Sequence, residues 1–485
     1  MTTPTWDELD ARPCPQWFQR AKFGIFVHWG VYSVPAWRGL SNERFGSYAE
    51  WYYASVYGPY RNADPGFHKD HYGDADYRDF APRFTAELFD PDRWADLFAR
   101  AGARYVVLTA KHHDGYCLWP TANPHKRGWN AGDTGPGRDL VGELASAVRR
   151  RGMRMGLYYS IIEWEPHTSH RCGGGHFIPE ADAARYGIDP AAYPVEVLEE
   201  QWKDLNTRYA PSVIYTDGGE WDCDEEYVRT RELLGWLYSQ APNRDEVVVN
   251  DRMHVGMPGV HGDYFSTEYQ DVEGFGEAHP WEESRGIGGS YGFNRAENIE
   301  DYATAPELVA LLARTVAGGG NLLLNVGPTA DGRIDVLQQE RLTQIGAWMD
   351  DYGRAIYDTG PVAGWRAPEG VHLTADPGGA RVGMISTEPG PVPPMGPGMP
   401  VWHEVLTDGL DAGIDFYKRV FGWRTRVVPY GGEDLPYRVN YSGTESLCGI
   451  GELGAFASED ATPAWRVYYG TYASEGATPA WRVYF

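Results

Sequence analysis

The sequence predicts an α/β protein: a (β/α)8-type TIM barrel, followed by a few short strands and a small α+β module of βαβββ pattern. Three observations predict the barrel. Short, nearly continuous apolar runs alternate with amphipathic helical patterns over most of the first 350 residues, and a strand that is apolar throughout is one covered on both faces, as in a parallel sheet wrapped by helices. Seven such runs occur: KFGIFVHWG (22–30), YVVLTAKHHDG (105–115), MRMGLYYS (153–160), VIYTDGG (213–219), EVVVND (246–251), DYFSTEY (263–269) and NLLLNVG (321–327). An eighth strand is expected within RGIGGSYGF (285–293). Finally, no GxGxxG follows the first run, which weakens the dinucleotide-binding, doubly wound alternative.

The segments between the runs carry helix signals. DPDRWADLFARAG and DLVGELASAVRRRG begin with Asp, whose side chain can accept from the free N–H groups of a first helical turn, and end on Gly. VEVLEEQWKDLNTRY, EEYVRTRELLGWLYS and PELVALLARTVAGG repeat apolar residues with the 3.6-residue period.

The barrel is expected over residues 1–353, closing with the helix VLQQERLTQIGAWMDDYG (336–353). Residues 354–386 read as a short β segment, a truncated sandwich, and TEPGPVPPMGPGMP (387–400) is a Pro/Gly linker without core-forming capacity. A second unit covers 401–485, with a strand (PVWHEVL), a helix (DAGIDFYKRVFGW) and further strands. Within it ATPAWRVY occurs twice, at 461–468 and 477–484, as a hairpin of two like strands or as a duplication scar.

Composition narrows the function. With 485 residues, 42% of them hydrophobic, 19 Trp and 32 Tyr, the chain is globular and unusually aromatic. Aromatic faces suit sugar rings as well as cores. A net charge of -25 repels phosphates, so neither nucleic acid nor an anionic membrane is expected as a partner, and a neutral small molecule is. The start, MTTPTWDELDARPC, lacks a charged n-region and an apolar h-region, which predicts a cytoplasmic protein. Five cysteines without CxxC spacing indicate neither a disulfide framework nor structural zinc, and no cofactor is called for.

In a barrel of this kind the chemistry sits at the C-terminal ends of the strands. Those ends read His28-Trp29, His112-His113-Asp114, Tyr158-Tyr159-Ser160, Asp217, Asn250-Asp251-Arg252 and Glu268. A sugar-cleaving site needs one carboxylate to attack or to activate water and one carboxyl group to protonate the leaving oxygen. Asp217 is placed for the first role, and Gly218 and Gly219 allow a sharp exit from the strand; Glu220 is its rival beyond the corner. For the acid, Glu268 at a strand end is preferred to Glu282 in a loop. Asp251 suits scaffolding, with Arg252 as a neighbour to pair with it.

His28, His112 and His113 are read as directional hydrogen-bonding partners for sugar hydroxyls. A metal site with Asp114 is the competing reading of the HHD cluster, but it needs a strand already bent, because adjacent residues point to opposite faces. Trp29, Trp51, Tyr159 and Tyr215 offer flat faces to a sugar or pack in the core. Glu50 is a polar candidate beside Trp51 or a solvated loop acid.

Taken together, WFQRAKFGIFVHWGVYSVPAW, SYAEWY, FDPDRWADLFARAGARYVVLTAKHHDGYCLW, RDLVGELASAVRRRGMRMGLYYS, VIYTDGGEW, VVVNDR and GGGNLLLNVGPTADGRI resemble the α-L-fucosidases of glycoside hydrolase family 29, in order and spacing, over roughly residues 15–360. The resemblance implies a retaining exo-glycosidase that releases terminal α-L-fucose, with Asp217 as nucleophile and Glu268 as the best match to the acid/base. It also implies that His28, Glu50, His112, His113, Tyr159 and Arg252 contact the sugar. The unit from 401 resembles, through PVWHEVLTDGLDAGIDFYKRVFGW, one module of the glyoxalase/bleomycin-resistance superfamily, whose modules work in pairs.

Overall fold

The computed structural model describes residues 3–41, 46–57, 66–164, 189–270 and 279–359, and beyond these 371–375, 381–385, 400–407, 410–421, 424–427, 437–442, 445–452, 464–470 and 481–484. The expected Pro/Gly linker lies outside the described residues from 387 to 399. The chain divides into two compact units, Met1–Trp365 and Arg366–Phe485.

The described residues of the first unit form eight strands: β1 (Phe23–Val27), β2 (Tyr105–Lys111), β3 (Arg154–Ser160), β4 (Val213–Asp217), β5 (Val248–Val249), β6 (Phe265–Glu268), β7 (Trp281–Gly286) and β8 (Asn321–Val326). They form one parallel sheet in the order β5-β4-β3-β2-β1-β8-β7-β6, the cyclic order of a (β/α)8 barrel with β5 and β6 at the two ends of the ladder. Seven strands fall where apolar runs were read. The other, β7, is displaced from the expected RGIGGSYGF toward the preceding stretch, and its sequence WEESRG carries three charged residues. Burial of Glu282 and Glu283 in the sheet explains why no apolar run marks it.

Helices pack outside the sheet, and the two that begin with Asp start on the anticipated caps. Asp90 accepts from Arg93 N at 3.0 Å at the head of Pro91–Arg100, Asp139 accepts from Gly142 N at 2.8 Å ahead of Leu140–Arg150, and Thr304 with Glu307 forms a capping box at Ala305–Ala317. Alternation along each strand sorts the side chains into two cores. Phe23, Ile25 and Val27 belong to the larger cluster beneath the helices. Phe26 faces the barrel interior with Tyr105, Val107, Tyr158, Val213, Tyr215 and Leu323. Gly24 has the inward phase, and a Cβ there would stand 2.5 Å from the Tyr105 ring.

Among the described residues no helix is long and apolar enough to cross a membrane. In the second unit, β9 (Val371–Ala375) pairs antiparallel with β10 (Arg381–Ile385). A six-stranded sheet follows, in the order β12-β13-β14-β11-β15-β16, from β11 (Pro400–Thr407), β12 (Thr425–Val427), β13 (Tyr437–Ser442), β14 (Glu445–Glu452), β15 (Ala464–Gly470) and β16 (Trp481–Tyr484). The helix Leu410–Phe421 stands between β11 and β12 in the chain. The repeated ATPAWRVY copies supply β15 and β16, which pair antiparallel with Val467 opposite Tyr484.

Candidate active site

Asp217 is the last residue of β4, and Gly218 turns the chain with φ of +85°, a conformation that L side chains rarely adopt. The next position is closed by contact: a Cβ on Gly219 would lie 1.9 Å from the Met253 carbonyl oxygen. The two glycines therefore let the chain leave β4 sharply, so the turn itself presents the carboxyl group. Asp217 lines a cavity of about 530 Å³ at the C-terminal ends of the strands, together with His28, Glu50, Trp51, His112, Tyr158, Tyr215, Glu220, Trp221, Arg252 and Glu268.

Three side chains hold the Asp217 carboxylate. Tyr158 donates its hydroxyl to Oδ2 at 2.7 Å, His113 Nε2 lies 3.3 Å from the same oxygen, and Arg252 Nη1 lies 3.4 Å from Oδ1. Burial alone would make this group a weaker acid, but His113, Arg252 and Tyr158 outweigh it and hold Asp217 far below the usual carboxylate range. A permanently ionised carboxylate at the end of a buried strand is suited to nucleophilic attack.

Arg252 organises the rest of the mouth. Its Nη1 makes its shortest ion pair with Glu268 Oε1, at 2.8 Å, and lies 3.6 Å from Glu220 Oε1. Its Nε donates to Ser266 Oγ at 2.8 Å, and Ser266 in turn donates to Asp251 Oδ1 at 2.7 Å. Asp251 accepts from Ser266 and from the Gly259 amide (2.9 Å), while Arg252, its expected partner, turns to the cavity.

The histidines divide by environment. His28 Nδ1 meets Asn325 Oδ1 at 2.7 Å, which leaves Nε2 for a ligand, and burial pushes its basicity down to about 3 despite that hydrogen bond. The His112 ring lies parallel to Tyr158, with centroids 5.6 Å apart, and burial keeps it well below the ordinary histidine range. His113 places Nδ1 2.6 Å from Ser160 Oγ and stands behind Asp217. Both follow the end of β2 in a bend closed by Gly115 N donating to His112 O at 3.0 Å, which brings adjacent residues to the same side. Among the described residues no three His, Cys, Asp or Glu side chains are gathered to hold a metal ion.

Glu50 is buried, and accepts from Gly292 N at 2.8 Å and Ser290 Oγ at 3.1 Å; burial pushes its carboxyl up to about 7 against those hydrogen bonds. It is no solvated loop acid. Trp51 stands at the cavity with Trp221, ring centroids 5.6 Å apart, and Tyr215 lies on the cavity floor beneath Arg252.

Two expected contacts are corrected by the strand phase. Trp29 continues the outward row of Phe23, Ile25 and Val27: it packs on Phe84, Phe89 and Trp94 at 5.0–5.1 Å and donates Nε1 to Thr329 O, away from the cavity. Tyr159 likewise points outward and joins a buried network, donating to Gln201 Oε1 at 2.8 Å and accepting from Lys111 Nζ at 2.9 Å. Its neighbour Tyr158 has the inward phase and takes the place at the site. Gly156 and Tyr158 share one face of β3, but the strand is buried on both faces, so its sequence carries no signal of which face is inward.

Glu282 is corrected as well. It pairs in register with Asn321 at the beginning of β8 and accepts from the hydroxyl of Tyr105 at the beginning of β2, so it lies at the opposite end of the barrel from Asp217. Burial pushes its carboxyl up to about 8. The reading of the cysteines also changes, since Cys223, two residues after Trp221, is disulfide-bonded; Cys14 and Cys117 are free.

Residues 1–354 match the family model described as alpha-L-fucosidase. The chain is 43% identical to the tissue alpha-L-fucosidase of Bos taurus over 366 residues, spanning 75% of this chain and 72% of that one. It is 42% identical to the tissue alpha-L-fucosidase of Homo sapiens, over 75% and 73% of the two chains. Among solved structures, the alpha-fucosidase of Thermotoga maritima in complex with fucose superposes with a TM-score of 0.64 at 38% identity, over 77% of this chain and 84% of that one. The chain belongs to the alpha-L-fucosidase family, a family of glycoside hydrolases.

Proposed function

We propose that the protein hydrolyses terminal α-L-fucosides with retention of configuration, by double displacement. Asp217 attacks the anomeric carbon while Glu268 protonates the departing oxygen; Glu268 then takes a proton from the water that attacks the fucosyl-enzyme and releases fucose. The observation that carries this reading is the shared contact on Arg252. Since Nη1 lies 3.4 Å from Asp217 Oδ1 and 2.8 Å from Glu268 Oε1, these two oxygens are within 6.2 Å of each other, the sum of the contacts. Retaining enzymes separate their carboxyl groups by roughly 5–5.5 Å and inverting ones by roughly 6.5–9.5 Å. Close approach favours direct attack over a water held between sugar and base.

His28, His112 and Glu50 would bind ring hydroxyls from one side of the cavity, and Phe26 and Tyr291 supply an apolar face for the 6-methyl group of fucose. Following the first-formed product by NMR tests the stereochemistry: α-L-fucose must appear before the β anomer, and initial β-L-fucose would refute double displacement.

We further infer an oxidising compartment in place of the cytoplasm expected from the chain's start, on the support of the Cys223 disulfide, since disulfides are rare in reducing surroundings. The division into barrel (1–353), short β segment (354–386), linker (387–400) and module (401–485) is retained as a proposal. So is the kinship of the last part with half of a glyoxalase/bleomycin-resistance pair, supported by its strand–helix–strands order.

A further inference from the structure

Three carboxyl groups converge on one cation at the cavity mouth. Arg252 Nη1 lies 2.8 Å from Glu268, 3.4 Å from Asp217 and 3.6 Å from Glu220, and the three acids are only 12–15% exposed. Were all three ionised, the single guanidinium would leave uncompensated negative charge in a site largely closed to water, which desolvation makes unfavourable. Asp217 is held as a carboxylate by Tyr158, His113 and Arg252 together, and Glu268 makes the shortest ion pair. Glu220 has the longest contact, and its Oε2 is buried without a hydrogen-bond partner among the described residues. A bare carboxylate oxygen is costly there and a neutral carboxyl is far less so. Burial, and then the charge of Asp217, raise Glu220 well above the usual carboxylate range.

The free site therefore poses a problem for the chemistry. Glu268 must be an acid when substrate is bound, yet its place against Arg252 is that of a carboxylate. We propose that Glu220 is a positioning residue that stores the proton Glu268 uses, the two carboxyls sharing one titrating proton around Arg252. This rests on the reading of Asp217 as nucleophile and Glu268 as acid/base. The two Oε1 atoms touch the same nitrogen and so lie within 6.4 Å, the sum of 2.8 and 3.6 Å, close enough for a proton to pass through bound water.

The balance is simple. Glu220 loses a proton and becomes a carboxylate, taking over the Arg252 contact that Glu268 gives up; Glu268 becomes the carboxylic acid. Glu268 passes the proton to the glycosidic oxygen, regains one from the hydrolytic water, and returns it to Glu220 when the site empties. The ionisable groups that face Glu220 are Asp217 from β4, Arg252 from the segment after β5 and Glu268 from β6, with His113 behind Asp217. Its own short helix Gly219–Asp222 adds Asp222.

The test is the pH dependence of kcat/KM on an aryl α-L-fucoside for the full chain, Glu220→Gln, Glu220→Asp and Glu268→Gln. In Glu220→Gln the proton resides on Glu268 alone, which no longer faces a second negative charge, so the alkaline limb moves to lower pH by about one unit or more. The rate on the acid side stays within about tenfold of wild type. Glu220→Asp, still ionisable, keeps the limb near its original position and guards against misreading a folding defect. An unmoved limb in a folded Glu220→Gln overturns the shared proton. The underlying reading fails separately if Glu268→Gln keeps both the wild-type rate and the wild-type alkaline limb.

Discussion

Tyr158 donates to Asp217 Oδ2 at 2.7 Å, while Tyr159, one residue further along β3, bonds Gln201 and Lys111 on the other side of the sheet. The pair makes a controlled comparison, since the same hydroxyl deletion removes a support of the nucleophile in one case and a structural hydrogen bond in the other. A hydrogen bond to a charged group contributes about 1.5–3 kcal/mol. Tyr158→Phe is therefore expected to lower kcat by about 10- to 150-fold with little change in thermal midpoint. Tyr159→Phe is expected to lower the midpoint with kcat within about threefold of wild type. Steady-state kinetics and thermal unfolding of both variants check this.

Arg252→Ala removes the cation shared by Asp217, Glu220 and Glu268. Breaking a buried ion pair by deleting one partner costs about 3–5 kcal/mol. A fall in kcat/KM of at least 100-fold, about 2.7 kcal/mol, is expected. Arg252→Lys keeps the charge but not the fork that reaches Ser266 and Glu268 together, and it should recover only part of the loss.

Glu268 and Glu282 separate by leaving group. Glu268→Gln is expected to lose kcat/KM on substrates with poor leaving groups while keeping most of it on a dinitrophenyl fucoside, which departs without protonation; kcat falls on both, because the base for the second step is gone. Glu282→Gln, which replaces a buried carboxyl raised to about 8 beside Tyr105, is expected to stay active on both. Loss of activity on poor leaving groups in Glu282→Gln alone would reverse the assignment.

Acid stability follows from His28. Its basicity is about 3 in the folded protein and 6.5 in an unperturbed chain, so between these values the unfolded chain binds a proton that the folded one refuses. Unfolding then takes up protons, and stability falls as pH drops from 6.5 toward 3, with no contribution from His28 above that range. Glu50, raised from 4.5 to about 7, acts with the opposite sign, because the folded protein keeps a proton that the unfolded chain has lost. His28→Gln is expected to reduce the stability difference between pH 7 and pH 4 by about 3 kcal/mol, as read from urea unfolding at the two values.

How much of this was legible in the sequence depends on the residue. Asp217 was legible because an apolar run ends abruptly on Asp-Gly-Gly, and both glycines prove necessary to the backbone. The strand order needed only the alternation of runs and helices. β7 was not legible as a strand, because its Glu282 and Glu283 are buried by polar contacts with Tyr105 and Thr267 that lie more than a hundred residues away in one case. The resemblance points to Tyr159 where the cavity holds Tyr158: when a strand is buried on both faces, composition does not reveal which residues face inward. The sequence places Glu220 beyond the corner as a rival of Asp217, and the short helix after Gly218 folds it back toward Arg252. The Cys223 disulfide is not disclosed by cysteine spacing, since the chain has no CxxC pair.

The central claim is that Asp217 forms a covalent bond to the sugar, and trapping tests it most directly. The protein is incubated with a 2-deoxy-2-fluoro-L-fucosyl fluoride, digested, and the labelled peptide sequenced by mass spectrometry. The account predicts one fluorofucosyl group on the carboxylate of Asp217, absent in Asp217→Ala. A label on Glu220 or Glu268, or fluoride release with no adduct and an inverted product, would contradict it.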